Sequence, residues 1–245
     1  MKFRSSRPHA FTLVELLTVI AVISVLAAIL ISVLGSVRKS ANQAKCVSNM
    51  RAITQGILMY ASEHGRYPRN ADGMVYDIAI MPYLDVENSA IRNLPSGPVL
   101  RSEPAGGAVS GIAELFRSPA DEVVRTNPDA FPRSYALVPW AFNWSNGSVT
   151  RGFPNLDRNT GVPPVVVQNP SKAALLVQVH RPANVIGALS NATSDGPAST
   201  ADTSIHGKQS NVAFADGHVT SINYTEFTPG EFIAEYWGGA GISQN

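Results

Sequence analysis

Cysteine is almost absent from this chain of 245 residues: Cys46 is the single example. One thiol excludes an intramolecular disulfide and any metal centre built from several cysteines. Charge is scarce too, at 15% of residues, and nearly cancels to a formal +1. With no broad basic field to recruit it, nucleic acid is not an expected partner. Glycine-rich phosphate loops of P-loop or Rossmann form are missing, as is a Gly-x-Ser-x-Gly nucleophile elbow. Proline is missing from the whole stretch between Phe11 and His64, so nothing there forces a helix to break.

What is present begins with a long apolar run. Residues 16 to 34 are interrupted only by Thr18, Ser24 and Ser32. As a helix they cover roughly 28 Å, against a bilayer core of about 30 Å. That is too long for the apolar region of a secretory signal, about 7–15 residues. Lys2, Arg4 and Arg7 precede the run and Arg38, Lys39 and Lys45 follow it, so basic flanks leave the orientation open. A plain signal anchor fits the length but gives no reason for Glu15. A charge at the centre of a span costs about 2.5–3.5 kcal/mol on insertion scales and marks function by default. Beyond the run, Val37, Ala41, Ala44, Val47, Met50, Ile53, Ile57 and Ala61 recur at spacings of three and four, with polar residues on the other faces. Gly65 and Pro68 then signal a stop. The pattern predicts one helix of more than fifty residues, lipid-facing first and amphipathic second.

The stretch "AFTLVELLTVIAVISVLAAIL" resembles the start of type IV pilins and type II secretion pseudopilins. The resemblance implies a leader, residues 1–10, cut between Ala10 and Phe11; Ala10 stands where the family usually has glycine. Phe11 would become an N-methylated mature terminus, and Glu15 the fifth residue, where the family carries its acid. It implies a polymerisation helix over 11–35, its amphipathic continuation over 36–64, and a globular domain over 65–245. The fold expected is α+β, the long helix packed on a small, mainly antiparallel sheet with long loops. The expected function is a structural, non-enzymatic subunit of a pilus-like or secretion-like filament. Partners implied are further copies or related subunits, a prepilin peptidase, inner-membrane assembly machinery and the lipid bilayer. The place implied is the inner membrane, single-pass, with the domain in the periplasm, and afterwards a filament.

A second resemblance is to pseudopilin-like proteins with a His-x9-Asp-Gly signature, here His206, Asp216 and Gly217. Echoes lie at "FRSPADE" (116–122), "RSYALV" (133–138) and "SKAALLVQVH" (171–180). Relatives of this kind often carry Cys-Pro where this chain has Ser118-Pro119, which implies a partner for the position of Cys46. They often carry glutamate where this chain has Gln178.

Residues 65 to 133 are turn-rich, and strands are predicted at 134–138, 165–168, 173–180, 211–216 and 218–223. Asp216-Gly217 predicts a tight hairpin turn of type I′ between the last two. Thr228 to Glu231 fits a capping box before a short helix over 231–237. Two readings of the signature stay open. Asp216-Gly217 is sufficient as turn chemistry, with His206 bonding its own loop. Alternatively His206, Asp216 and His218 form a first shell for zinc or a related metal, which would suit an anchored periplasmic hydrolase. Calcium among Asp195, Asp202 and Asp216 is a further option. No cofactor is otherwise expected. Trp140, Phe142 and Trp144 lie at alternating positions, as core, subunit contact, or the adhesive face of a minor pilin in the 139–161 loop.

Overall fold

The structure, a computed structural model, describes residues 13–68, 76–84, 108–126, 131–138, 140–143, 148–151, 163–167, 169–180, 182 and 209–223. Its first element is helix α1, Leu13–His64, 52 residues long and uninterrupted. Four hydroxyls lie in or beside its apolar run. Each donates to a carbonyl three or four residues back: Thr18 to Glu15, Ser24 to Ile20, Ser32 to Ile29 and Ser36 to Val33, at 2.7–3.0 Å. They therefore need no outside partner. The helix ends at Gly65, whose φ of +68° is the left-handed conformation favoured after a last helical turn.

The chain divides into two compact units, residues 1–41 and 42–245. In the first, the large apolar side chains from Leu13 to Val37 are exposed, most of them more than half. The segment is long and apolar enough to cross a membrane. In the second, the rest of α1 buries one stripe, Cys46, Asn49, Met50, Ile53, Thr54, Ile57 and Ala61. Met50, Ile53, Ile57 and Ala61 are positions that the three-and-four spacing assigned to the inner face; Cys46, Asn49 and Thr54 are not, and Ala41 and Ala44, which it did assign there, are exposed.

The stripe shares a core with two short helices, α2 (Tyr76–Ile80) and α3 (Ala108–Phe116), and with a four-stranded sheet. A 3-10 turn, Met81–Tyr83, follows α2 directly. The strands are β1 (Tyr135–Leu137), β4 (Ala174–Gln178), β5 (Gln209–Phe214) and β6 (Val219–Asn223), adjacent in that order and all antiparallel. Strands β2 (Trp140–Asn143) and β3 (Ser148–Arg151) form a separate hairpin. Strand β4 is buried along its whole length and β5 along all but its first residue, as suits central strands covered on both faces. The α+β arrangement of a long apolar helix on a small antiparallel sheet is the one expected.

Two expectations change. Of the strand expected at 165–168, residue 168 lies outside the described residues, and Val165 and Val166 belong to no strand. Pro164–Val166 is a 3-10 turn, closed by Val167 N–H on the Pro164 carbonyl at 3.1 Å. Pro163-Pro164 supplies no N–H for a ladder and fixes φ where the turn starts. The β5–β6 connection is also not a two-residue type I′ turn. Its register, Ala213 opposite Val219, leaves a three-residue loop, Ala215-Asp216-Gly217, inside the Phe214–His218 pair. The helix predicted over 231–237 lies outside the described residues.

Candidate functional site

Of the residues that the sequence marks for processing and assembly, Ala10 and Phe11 lie outside the described residues. Glu15 sits in the first turn of α1, where a negative side chain complements the helix dipole.

The signature residues are divided in the same way. His206 lies outside the described residues, as do Asp195 and Asp202. Asp216, Gly217 and His218 close the β5–β6 hairpin. Gly217 N–H donates to the Phe214 carbonyl at 2.9 Å, and Gly217 adopts φ +94°. This is a turn followed by a left-handed residue, a frequent three-residue hairpin. Asp216 Oδ1 accepts from His218 N–H at 3.1 Å and lies 2.6 Å from His218 Nδ1. The His218 ring stacks on Phe214, with centroids 4.4 Å apart. The pair is therefore joined side by side on a half-exposed tip. Among the described residues, no group of three histidine, cysteine or acidic side chains is placed to hold a metal. Asp216 also faces Tyr67. Burial first, and this carboxylate second, push the Tyr67 hydroxyl up to about 12.

One polar assembly among the described residues was not predicted as a unit. It lies buried between α1, the end of α3 and the sheet. Cys46 Sγ is 3.0 Å from Ser118 Oγ, so the two positions paired by resemblance do meet, with a hydroxyl in place of the second thiol. Burial raises the Cys46 thiol above its usual range, against the opposing hydrogen bond from Ser118. Gln178 donates to Ser118 Oγ at 3.2 Å and its amide lies 3.1 Å from His180 Nε2. Asn211 donates to Gln178 Oε1 at 3.3 Å, and Ser221 to Asn211 Oδ1 at 2.6 Å. On the α1 side, Gln43 donates to Ser221 Oγ at 3.1 Å, and Asn49 to the carbonyls of Arg117 at 3.1 Å and Glu114 at 3.5 Å. Asn49 thereby satisfies carbonyls at the C-terminal end of α3.

Behind this assembly stand two buried ion pairs. Arg125 forks onto both carboxylate oxygens of Asp121, which also accepts from Ser134 Oγ, with His180 Nδ1 at 3.9 Å. Burial opposes the charge on Asp121, but Arg125, His180 and Ser134 together outweigh it and hold the carboxyl below its usual range. Arg133 pairs with Asp77 and lies 5.3 Å over the Tyr76 ring, all three buried. Charges so placed need partners of this kind. The three short echoes at 116–122, 133–138 and 171–180 supply Ser118, Asp121, Arg133, Ser134, Gln178 and His180. They were the available signal, though nothing in their spacing says that they converge.

The chain matches known proteins at its N-terminus and beyond. Residues 5–31 match the prokaryotic N-terminal methylation motif. The chain is 32% identical over 144 residues to the type II secretion system core protein G of Klebsiella pneumoniae, covering 58% of this chain and 97% of that one. It is 32% identical over 128 residues to the core protein G of Dickeya chrysanthemi, 51% of this chain and 81% of the other. No solved structure matches it.

Proposed function

Because this chain belongs to the family of the type II secretion system core protein G, we propose that it is a pseudopilin, the structural subunit of a secretion-system filament. The observation that carries this reading is the joining of the methylation motif at 5–31 to a single 52-residue helix, whose first half is exposed hydrocarbon and whose second half anchors a folded domain. Before processing, the apolar half lies in the inner membrane as a single span, with the domain on the periplasmic side. A prepilin peptidase cuts between Ala10 and Phe11, and α1 then packs among the helices of neighbouring subunits. There the amine of Phe11 is taken out of water. Glu15 of a neighbour supplies its counter-charge, since either charge alone is costly to bury and the pair is tolerable. The polar assemblies of the domain serve folding and not turnover. The test is the mature N-terminus by mass spectrometry of membrane and filament fractions. A chain beginning at methylated Phe11 is expected; an intact Met1 start in filaments refutes the reading.

A further inference from the structure

The buried stripe of α1 changes character along its length. From Met50 to Ala61 it is mainly hydrocarbon, Thr54 apart: Met50, Ile53, Ile57 and Ala61 join Tyr76, Ile80, Phe116, Tyr135 and Leu176 in one core. From Asn42 to Asn49, nearer the apolar half, Cys46 and Asn49 are its buried members, and α1 is held by hydrogen bonds of Gln43, Cys46 and Asn49. The side chains that Gln43 and Cys46 meet are bonded to one another independently of α1, while Asn49 meets backbone carbonyls at the end of α3. Ser221, Asn211, Gln178 and Ser118 form a continuous ladder across β6, β5 and β4 to the end of α3. Lifting residues 42–49 breaks the bonds of Gln43 to Ser221, of Cys46 to Ser118 and Gln178, and of Asn49 to the carbonyls of Glu114 and Arg117, and leaves the ladder itself closed.

We propose that residues 42 to 49 of α1 form a latch that opens from the sheet while residues 50 to 61 stay docked. Water replaces hydrogen bonds at nearly even exchange, whereas nothing in water replaces lost apolar burial. The opening free energy of the first segment is therefore a fraction of that for global unfolding, as for other sub-global openings. Opening frees about two further turns of α1, roughly 12 Å, for contact with whatever lies beside the helix. The device is a property of the folded chain and does not depend on whether the chain polymerises.

Two thiols in one molecule test it. Cys46 reports on the latch. Thr54→Cys reports on the docked segment, because Thr54 is fully buried, its hydroxyl has no hydrogen bond, and cysteine nearly matches its shape. Trypsin cutting after Arg51 separates the two reporters for mass spectrometry. The full chain in detergent is alkylated with iodoacetamide, and each rate is divided by the rate for the same thiol in the urea-unfolded chain. Cys46 is expected to react roughly 100-fold or more faster than position 54, at a rate unchanged by low urea, while the rate at 54 rises with urea. Equal protection with equal urea dependence overturns the proposal. If Thr54→Cys does not fold, Ala61→Cys serves as the docked reporter on the same criteria.

Discussion

Replacing Gly217 by valine decides what the hairpin tip is for. The glycine holds φ +94°, and a Cβ there would lie 3.3 Å from Leu58 Cδ1. The contact is with the end of a flexible side chain, so the backbone term dominates. An L-residue in the left-handed region costs about 1–2 kcal/mol, and a β-branched one more, so about 2–3 kcal/mol is expected for Gly217→Val. For a folded unit near 200 residues, each kcal/mol moves Tm by about 2–4 °C, which gives a drop of roughly 4–12 °C. Asp216→Asn is the contrasting change. Asparagine keeps an acceptor for His218 N–H and loses only the charge facing His218, a pair 35% and 43% exposed. Its effect is expected within about 0.5 kcal/mol. Tryptophan and tyrosine fluorescence melts in detergent, with and without chelator, give both numbers. A Gly217→Val melt within about 1 °C of the parent, or Asp216→Asn as the more damaging change, refutes the turn assignment. A drop for Asp216→Asn that vanishes with chelator identifies a metal instead.

Glu15→Val is expected to leave membrane insertion intact while abolishing or slowing filament formation, read by sedimentation of sheared filaments; normal filaments refute the pairing with Phe11. Ser118→Cys is expected to form a disulfide with Cys46 under mild oxidant, since the two side-chain ends lie 3.0 Å apart. Closing that loop stabilises by at most about 4 kcal/mol, less what the lost hydrogen bonds at Ser118 Oγ contribute, and a reduced-against-oxidised melt measures it. A pair that stays reduced contradicts the placement. For Asp121 the folded carboxyl lies below its unfolded value, so its contribution is present above about pH 4 and disappears as pH falls through the folded value. Asp121→Asn should therefore lower stability at neutral pH and flatten its loss in acid; an unchanged acid slope in urea titrations removes Asp121 from the account.

The long helix was legible because its signals are local. An apolar run, a three-and-four stripe, no proline and a closing glycine all lie within one continuous segment, and α1 ends where they say. The strands β1, β4, β5 and β6 were legible for the same reason, as short apolar or β-branched runs bounded by turn residues. The run at 165–168 misleads because its valines fit a strand while the preceding two prolines set a turn. The buried polar assembly was not legible, because Gln43, Cys46, Asn49, Ser118, Gln178, Asn211 and Ser221 each look ordinary alone. Hydrogen-bond partners as much as 178 residues apart in the chain leave no periodic trace. Resemblance drew attention to positions 46, 118 and 178, but only the packing of α1 on the sheet explains why they belong together.

The hydroxyls of Thr18, Ser24, Ser32 and Ser36, turned onto their own helix, make the apolar first half of α1 indifferent to its surroundings. Acyl chains and the flanks of neighbouring helices meet the same carbon surface and no thirsty oxygen. A move from lipid to protein therefore exchanges one dry medium for another at little change in free energy. On the route proposed here such a rod is reversible by construction. On that proposed route, the preference for a particular neighbour, at a particular axial offset, would fall to the carboxylate of Glu15.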